Sequence, residues 1–228
     1  MADSQVILSM EGVTKVYGSG ELAVTALQDV NFEARSGEVA LVMGPSGSGK
    51  TTLLTIAGAL LRPTVGSVRV CGEEISGANE ASLAAIRRDK VGFVYQSFNL
   101  LEALTVMENV WIVARDAGVN GKAADTVHEL LDVFGLSHRL KALPRQLSDG
   151  EKQRVALARA IAKNPVLILA DEPTANLDAK RGHEVVQLLR QKAVQMNKGV
   201  VIVSHDQRIR DVADRVVWLE DGRLRPEA

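Results

Sequence analysis

The sequence predicts an α/β fold: a mixed, mainly parallel sheet, an antiparallel β part at the N-terminus and an inserted α-helical lobe. Three observations predict it. Short apolar, β-branched runs alternate with helix-length segments on either side of the chain's middle, as in sheets built by crossover connections. One run, Val166-Leu167-Ile168-Leu169-Ala170, is apolar without alternation, as a strand covered on both faces is. Between about Leu100 and Lys163 the texture becomes helical, with no convincing strand.

In chain order, residues 6–10 read as a strand, and 11–20 follow it into a Gly-rich turn. A second strand region covers 24–33. Ser36-Gly37 turns the chain into a strand at 38–43, and a helix-like run occupies 52–57. Residues 61–66 break the pattern, 67–71 form a strand, 81–88 a short helix and 91–95 a buried strand ending at Gln96. Residues 106–117 and 123–134 carry apolar side chains at three- and four-residue spacing. A helix over 149–163 follows, with Leu157 and Ile161 on one face. Then come a strand at 166–170, a helix at 179–196, a strand at 199–203, a helix at 207–212 and a strand at 215–219. Asp221-Gly222 has hairpin-turn chemistry. The expected division is one domain over 1–228, with a core over about 1–96 and 164–228 and a helical lobe over about 97–163.

Composition narrows the functional classes. With 228 residues and 46% apolar content the chain can bury a sizeable core. Twenty-seven basic against twenty-eight acidic residues give a net charge of −1, which argues against binding nucleic acid by bulk charge. Cys71 is the only cysteine, so no intrachain disulfide can form. The first five residues lack the basic-then-apolar pattern of a leader peptide. No apolar run reaches membrane-spanning length, so a membrane role would need a partner.

Gly44-Pro45-Ser46-Gly47-Ser48-Gly49-Lys50-Thr51 fits G-x-x-x-x-G-K-[ST], between an apolar strand and a helix. This spacing predicts a P-loop NTPase core. Glycines let the backbone wrap a phosphate with its N–H groups turned inward, and the helix start near Gly49 adds its positive dipole end. Lys50 reaches the terminal phosphates and the Thr51 hydroxyl suits Mg2+. Asp171-Glu172 ends the 166–170 strand. A carboxylate at a strand's C-terminal edge suits Mg2+, assigned to Asp171, while Glu172 is placed to polarise the attacking water. Ser148 is a good N-cap for the helix behind it.

The motifs, taken in order, resemble the ATP-binding-cassette family. The Leu-Ser-Gly-Gly-Gln signature is matched as Leu147-Ser148-Asp149-Gly150-Glu151, followed by Lys152-Gln153-Arg154. The resemblance covers nearly the whole chain and implies a role for each match. Tyr17 would stack on adenine, and residues 44–52, from Gly44 to Thr52, would hold the phosphates of ATP. Gln96 would contact Mg2+ and water and link the two lobes, Asp171 would hold the metal, and Glu172 would be the catalytic carboxylate. Asn176-Leu177-Asp178 would cross a dimer interface, and His205 would contact the γ-phosphate. Lys50, Gln96, Glu172 and His205 are thus the expected catalytic group, and Thr51, Gln96 and Asp171 the metal group. Ser148 and Gly150 would close over ATP held by a second copy, giving a sandwich dimer. Asp149 and Glu151 depart from the family pattern; Asp149 is expected to point away from the nucleotide.

Within the family, Tyr17-Gly18-Ser19-Gly20 with its extended turn, the 91–96 stretch and Glu151 resemble ATPases of the lipoprotein-release and macrolide-export type. That implies an ATPase at the cytoplasmic face of the inner membrane, held there by an integral permease. Cargo would be lipophilic or peptidic, and a periplasmic adaptor belongs to the same picture. Apolar side chains in 97–101 and 104–110 would serve as the permease groove or as packing between lobes. The competing classes are a soluble cassette ATPase in DNA repair or translation, and an importer ATPase. The first would carry a coiled coil or fused cassettes. Many of the second add a C-terminal regulatory domain, and this sequence stops soon after Trp218.

Overall fold

The computed structural model describes residues 5–118 and 123–226. Residues 1–4 of the stretch read for a leader lie outside the described residues. The elements run β1 (Val6–Tyr17), β2 (Val24–Arg35), β3 (Val39–Met43), α1 (Lys50–Ala57), β4 (Val65–Val70), β5 (Glu73–Glu74), α2 (Glu80–Asp89) and β6 (Val91–Val94). They continue with α3 (Val106–Asp116), α4 (Ala123–Val133), α5 (Asp149–Ile161), β7 (Leu167–Asp171), α6 (Ala179–Gln195), β8 (Gly199–Ser204), β9 (Arg215–Glu220) and β10 (Arg223–Pro226).

Two sheets form. The larger has the order β10-β9-β3-β8-β7-β6 and is parallel except at β10. The smaller is antiparallel, in the order β2-β1-β4-β5. The mixed α/β architecture and the antiparallel N-terminal part match the expectation.

Alternation along β3 divides the core. Val39, Leu41 and Met43 join one apolar cluster with α3, α4, α5 and α6, while Ala40 and Val42 join the other with α1, β1, β2 and β4. All five β3 residues are buried, as a central strand covered on both faces requires.

The elements differ from expectation where local irregularity hides periodicity. The first strand continues to Tyr17 rather than ending near Met10, because its pairing with β2 shifts register at four places and breaks the alternation. The fourth strand starts at Val65 inside the expected breaker; Gly66 stands at φ 98°, close against the backbone of Gly12. The helix at 149–163 stops at Ile161, three residues before Asn164 takes a left-handed φ of 55°. Residues 207–212 form a 3-10 helix rather than an α-helix. Val106 and Val110, expected as candidates for a partner groove, are instead buried in the core.

Candidate nucleotide site

The parallel strands place their C-terminal ends side by side, where ligands of such sheets bind. Met43 pairs with Ser204 and Asp171 with Val203, so the loops leaving β3, β7 and β8 open onto one edge. A cavity of about 580 Å³ lies there. Pro45, Ser46, Gly47, Gly49, Lys50, Thr51 and Thr52 line it from the loop and α1, and Gln96, Glu172 and His205 face them. Ala26, on β2, completes the lining and carried no signal in the sequence.

The loop's glycines are fixed by close approach. A Cβ at Gly44 would lie 2.0 Å from the Leu219 carbonyl oxygen, and one at Gly49 2.3 Å from that of Ala26. Nothing lies within 4 Å of a Cβ built at Gly47, whose outer face is open. The first three amides of α1 have no intrahelical acceptor and gather at the positive end of the helix dipole. Lys50 is buried, and its Nζ donates to the Gly44 and Pro45 carbonyls, each at 2.8 Å. Burial lowers its pKa, opposed by the nearby Glu172 and Asp171 carboxylates. The Ser48 hydroxyl is buried in the loop with no partner among the described residues. A glycine-rich loop at a helix start, with an unpaired buried hydroxyl and a desolvated cation, fits a phosphate.

The carboxylates differ in setting. Asp171 is raised in pKa, chiefly by burial, and accepts from the Thr51 hydroxyl at 3.4 Å. Glu172 sits at φ 46° and accepts from the Ser204 hydroxyl at 2.8 Å and the His205 amide at 3.2 Å. Its Oε1 also lies 2.7 Å from His205 Nδ1. Among the described residues no three His, Cys, Asp or Glu side chains gather to hold a metal ion alone. Thr51 and Asp171 nonetheless supply hard oxygens beside the phosphate loop, a set that fits Mg2+ sharing its shell with phosphate.

Two further ties fix the Gln96 loop. Asn176 Nδ2 donates to the Gln96 carbonyl at 2.9 Å. Arg159, reaching from α5, donates to the carbonyls of Phe98 at 2.8 Å and Asn99 at 2.5 Å, and both of these residues have left-handed backbones. Sequence reasoning missed Arg159 and Ser204. Ser204 directly precedes His205, a position that offered a weak signal; Arg159 lies in the family-like run behind the signature, which gave it no role.

Tyr17 borders the cavity rather than lining it. Its hydroxyl is 3.4 Å from that of Thr52, and Lys15 Nζ lies 5.3 Å over its ring. Ser148 and Gly150 do not line the cavity. Ser148 caps α5 with a reciprocal capping box to Glu151, and the exposed Asp149 pairs with Lys152 at 3.2 Å.

A model of the family described as "ABC transporter" matches residues 27–175. An uncharacterized ABC transporter ATP-binding protein of Thermotoga maritima is 48% identical, with 96% of this chain and 93% of that protein covered. The lipoprotein-releasing system ATP-binding protein LolD of Gluconobacter oxydans is 44% identical over 96% of this chain and 95% of its own. A putative hemin import ATP-binding protein, HrtA of Staphylococcus haemolyticus, is 43% identical over 95% and 98%. Among solved structures, the cassette MJ0796, in a dimeric post-hydrolysis state bound to ADP and Pi, superposes with a TM-score of 0.90 at 39% identity, covering 97% of both chains. The motif order read from the sequence, the phosphate-loop geometry and these likenesses lead to one conclusion: the chain belongs to the ABC transporter family, as an ATP-binding, ATP-hydrolysing subunit.

Proposed function

We propose that this subunit powers a separate membrane permease by closing on a second copy of itself over ATP, in an exporter of the lipoprotein-release or macrolide-export type. One observation carries the sandwich reading: the cavity opens beside the phosphate loop with no contribution from Ser148 or Gly150. A second copy presenting its α5 N-terminus would complete the site. The dimeric state of the MJ0796 cassette supports it.

In this reading ATP supplies the reacting γ-phosphoryl group and Mg2+ the charge that neutralises it. Lys50 exchanges its two loop carbonyls for phosphate oxygens. Thr51, Asp171 and Gln96 would hold the metal. Glu172, aimed by Ser204 and His205, orients the attacking water and accepts its proton. In this reading His205, held against Glu172 through Nδ1, would contact the γ-phosphate. Tyr17 stacks on adenine, and Pro45, Ser46, Gly47, Ser48, Gly49 and Thr52 complete the nucleotide contacts with Gly44.

Residues 97–163 would move as a lobe against 1–96 and 164–228, with Gln96 as the joint. The permease would dock beside that joint, where a hollow of about 280 Å³ runs between Tyr95, Leu101, Ile112 and Val113. No helix among the described residues is long and apolar enough to cross a membrane, so attachment at the cytoplasmic face would come through this contact. A periplasmic adaptor would belong to the permease's far side. Export is favoured by the likeness to LolD; import is the second reading, favoured by the likeness to the protein named for putative hemin import.

The test is co-purification from detergent-solubilised membranes of the native host. A bound permease that stimulates ATPase activity on addition of a lipoprotein or lipophilic peptide supports the export reading. Stimulation by hemin alone would favour the other. Recovery of the chain with DNA-repair or ribosomal proteins, and no membrane protein, would overturn both.

A further inference from the structure

We propose that Glu151 is a positioning residue that withholds the Ser148 hydroxyl from the nucleotide until that hydroxyl rotates off the carboxylate, and that Arg139 sets how firmly it does so. The inference rests on the proposed contact of Ser148 with ATP held by a second copy.

Glu151 occupies an unusual position for a charged group, being only 8% exposed. Both donors of Ser148 end on one of its oxygens. The Ser148 hydroxyl donates to Oε2 at 2.8 Å, and the Ser148 amide donates to the same oxygen at 2.8 Å. The Glu151 amide in turn donates to the Ser148 oxygen at 3.3 Å. A serine hydroxyl has one proton, and here it is spent. A phosphate oxygen is purely an acceptor, so it must take that proton from Glu151. The cap is built to allow this: the hydroxyl can rotate away while the amide bond to Oε2 keeps the first turn of α5 closed.

The other carboxylate oxygen is held from the neighbouring 3-10 turn. Arg139 Nε donates to Oε1 at 2.8 Å, and His138 Nε2 lies 3.6 Å from it. A cation on Oε1 draws negative charge away from Oε2 and weakens it as an acceptor. It also screens the approaching phosphate from the carboxylate. Arg139 and Glu151 are therefore partners with opposite effects on the release of Ser148: the carboxylate holds the hydroxyl back and the guanidinium eases it free. An ion pair serving only to brace the lobe has no such asymmetry.

The experiment compares Glu151→Gln, Arg139→Ala and Ser148→Ala in the full-length chain. It reads the ATP concentration for half-maximal hydrolysis, with the thermal midpoint without nucleotide as a second measurement. A neutral acceptor holds a hydroxyl less strongly than a charged one, so Glu151→Gln is expected to lower that ATP concentration about threefold to fivefold. Arg139→Ala, which leaves only His138 beside Oε1, is expected to raise it by a similar factor. Both should lower the thermal midpoint. In a Ser148→Ala background, Glu151→Gln should no longer shift the ATP dependence. Shifts of the two single variants in the same direction, or in neither, overturn the latch while leaving the role of Ser148 standing. An unchanged ATP dependence in Ser148→Ala removes that role, and the latch with it.

Discussion

Glu172 holds a left-handed backbone that a non-glycine residue adopts only at a cost, and three hydrogen bonds from Ser204 and His205 hold it there. The carboxylate is thus aimed before any nucleotide arrives. In the proposed mechanism Glu172→Gln keeps the shape but removes the base. ATP binding should persist while turnover falls by about 10²-fold or more, read by nucleotide-binding titration beside a phosphate-release assay. Lys50→Ala removes a buried cation, and ATP affinity should fall about tenfold to a hundredfold in the same titration. Asp149 is exposed and already paired with Lys152, so Asp149→Gly should change turnover by less than about twofold; a many-fold rise would place its carboxylate against the nucleotide. Lys50, Asp171 and Glu172 were legible in the sequence because their chemistry is written in local spacing. Arg159 and the Arg139–Glu151 pair were not, because each acts on residues that only the folded chain brings near: Arg159 lies 60 positions from Asn99.

Helix α5 shows the same division one scale up. Its start was legible, since Ser148 and Glu151 stand at capping-box spacing. Its burial was less so: residues from Gly150 to Ile161 are mostly enclosed, against α3, α6 and β6, although charged and amide side chains fill much of its first half. Ser148→Ala should cost about 1 kcal/mol in chemical denaturation through loss of the cap. Burial by itself would raise the pKa of Glu151, but bonds from the Ser148 amide, Arg139 and the Ser148 hydroxyl outweigh it and hold the group at about 2, against an ordinary 4.5. The folded form therefore binds that proton less readily than the unfolded one. The resulting stabilisation is complete above about pH 4.5 and is lost as pH falls through about 2. Between those values the stability of Glu151→Gln should fall less steeply with acid than that of the natural chain. The long first strand shows the opposite case: its register shifts against β2 erased the two-residue period by which strands are recognised.

At the scale of the whole molecule, the strand classes were legible and their order was not. Continuous apolar runs announce a covered parallel sheet, but nothing local tells that β3 lies between β8 and β9 rather than beside β6. That order is set by which faces the helices can cover, and it decides that the phosphate loop, the carboxylates and His205 share an edge. The half-built cavity at that edge predicts ATP-dependent association. Glu172→Gln with ATP should sediment as a dimer, and without nucleotide as a monomer; a monomer at saturating ATP would count against the sandwich.

The grip of Arg159 on the Gln96 loop has a consequence for how such a subunit diversifies. The guanidinium holds the main-chain carbonyls of Phe98 and Asn99 and makes no demand on their side chains. If the permease docks beside that loop as proposed, neighbouring side chains could change for a different partner while the link to α5 persists. In that reading, a subunit whose internal linkage reads backbone and whose docking face reads side chains would be a part that could pass between machines.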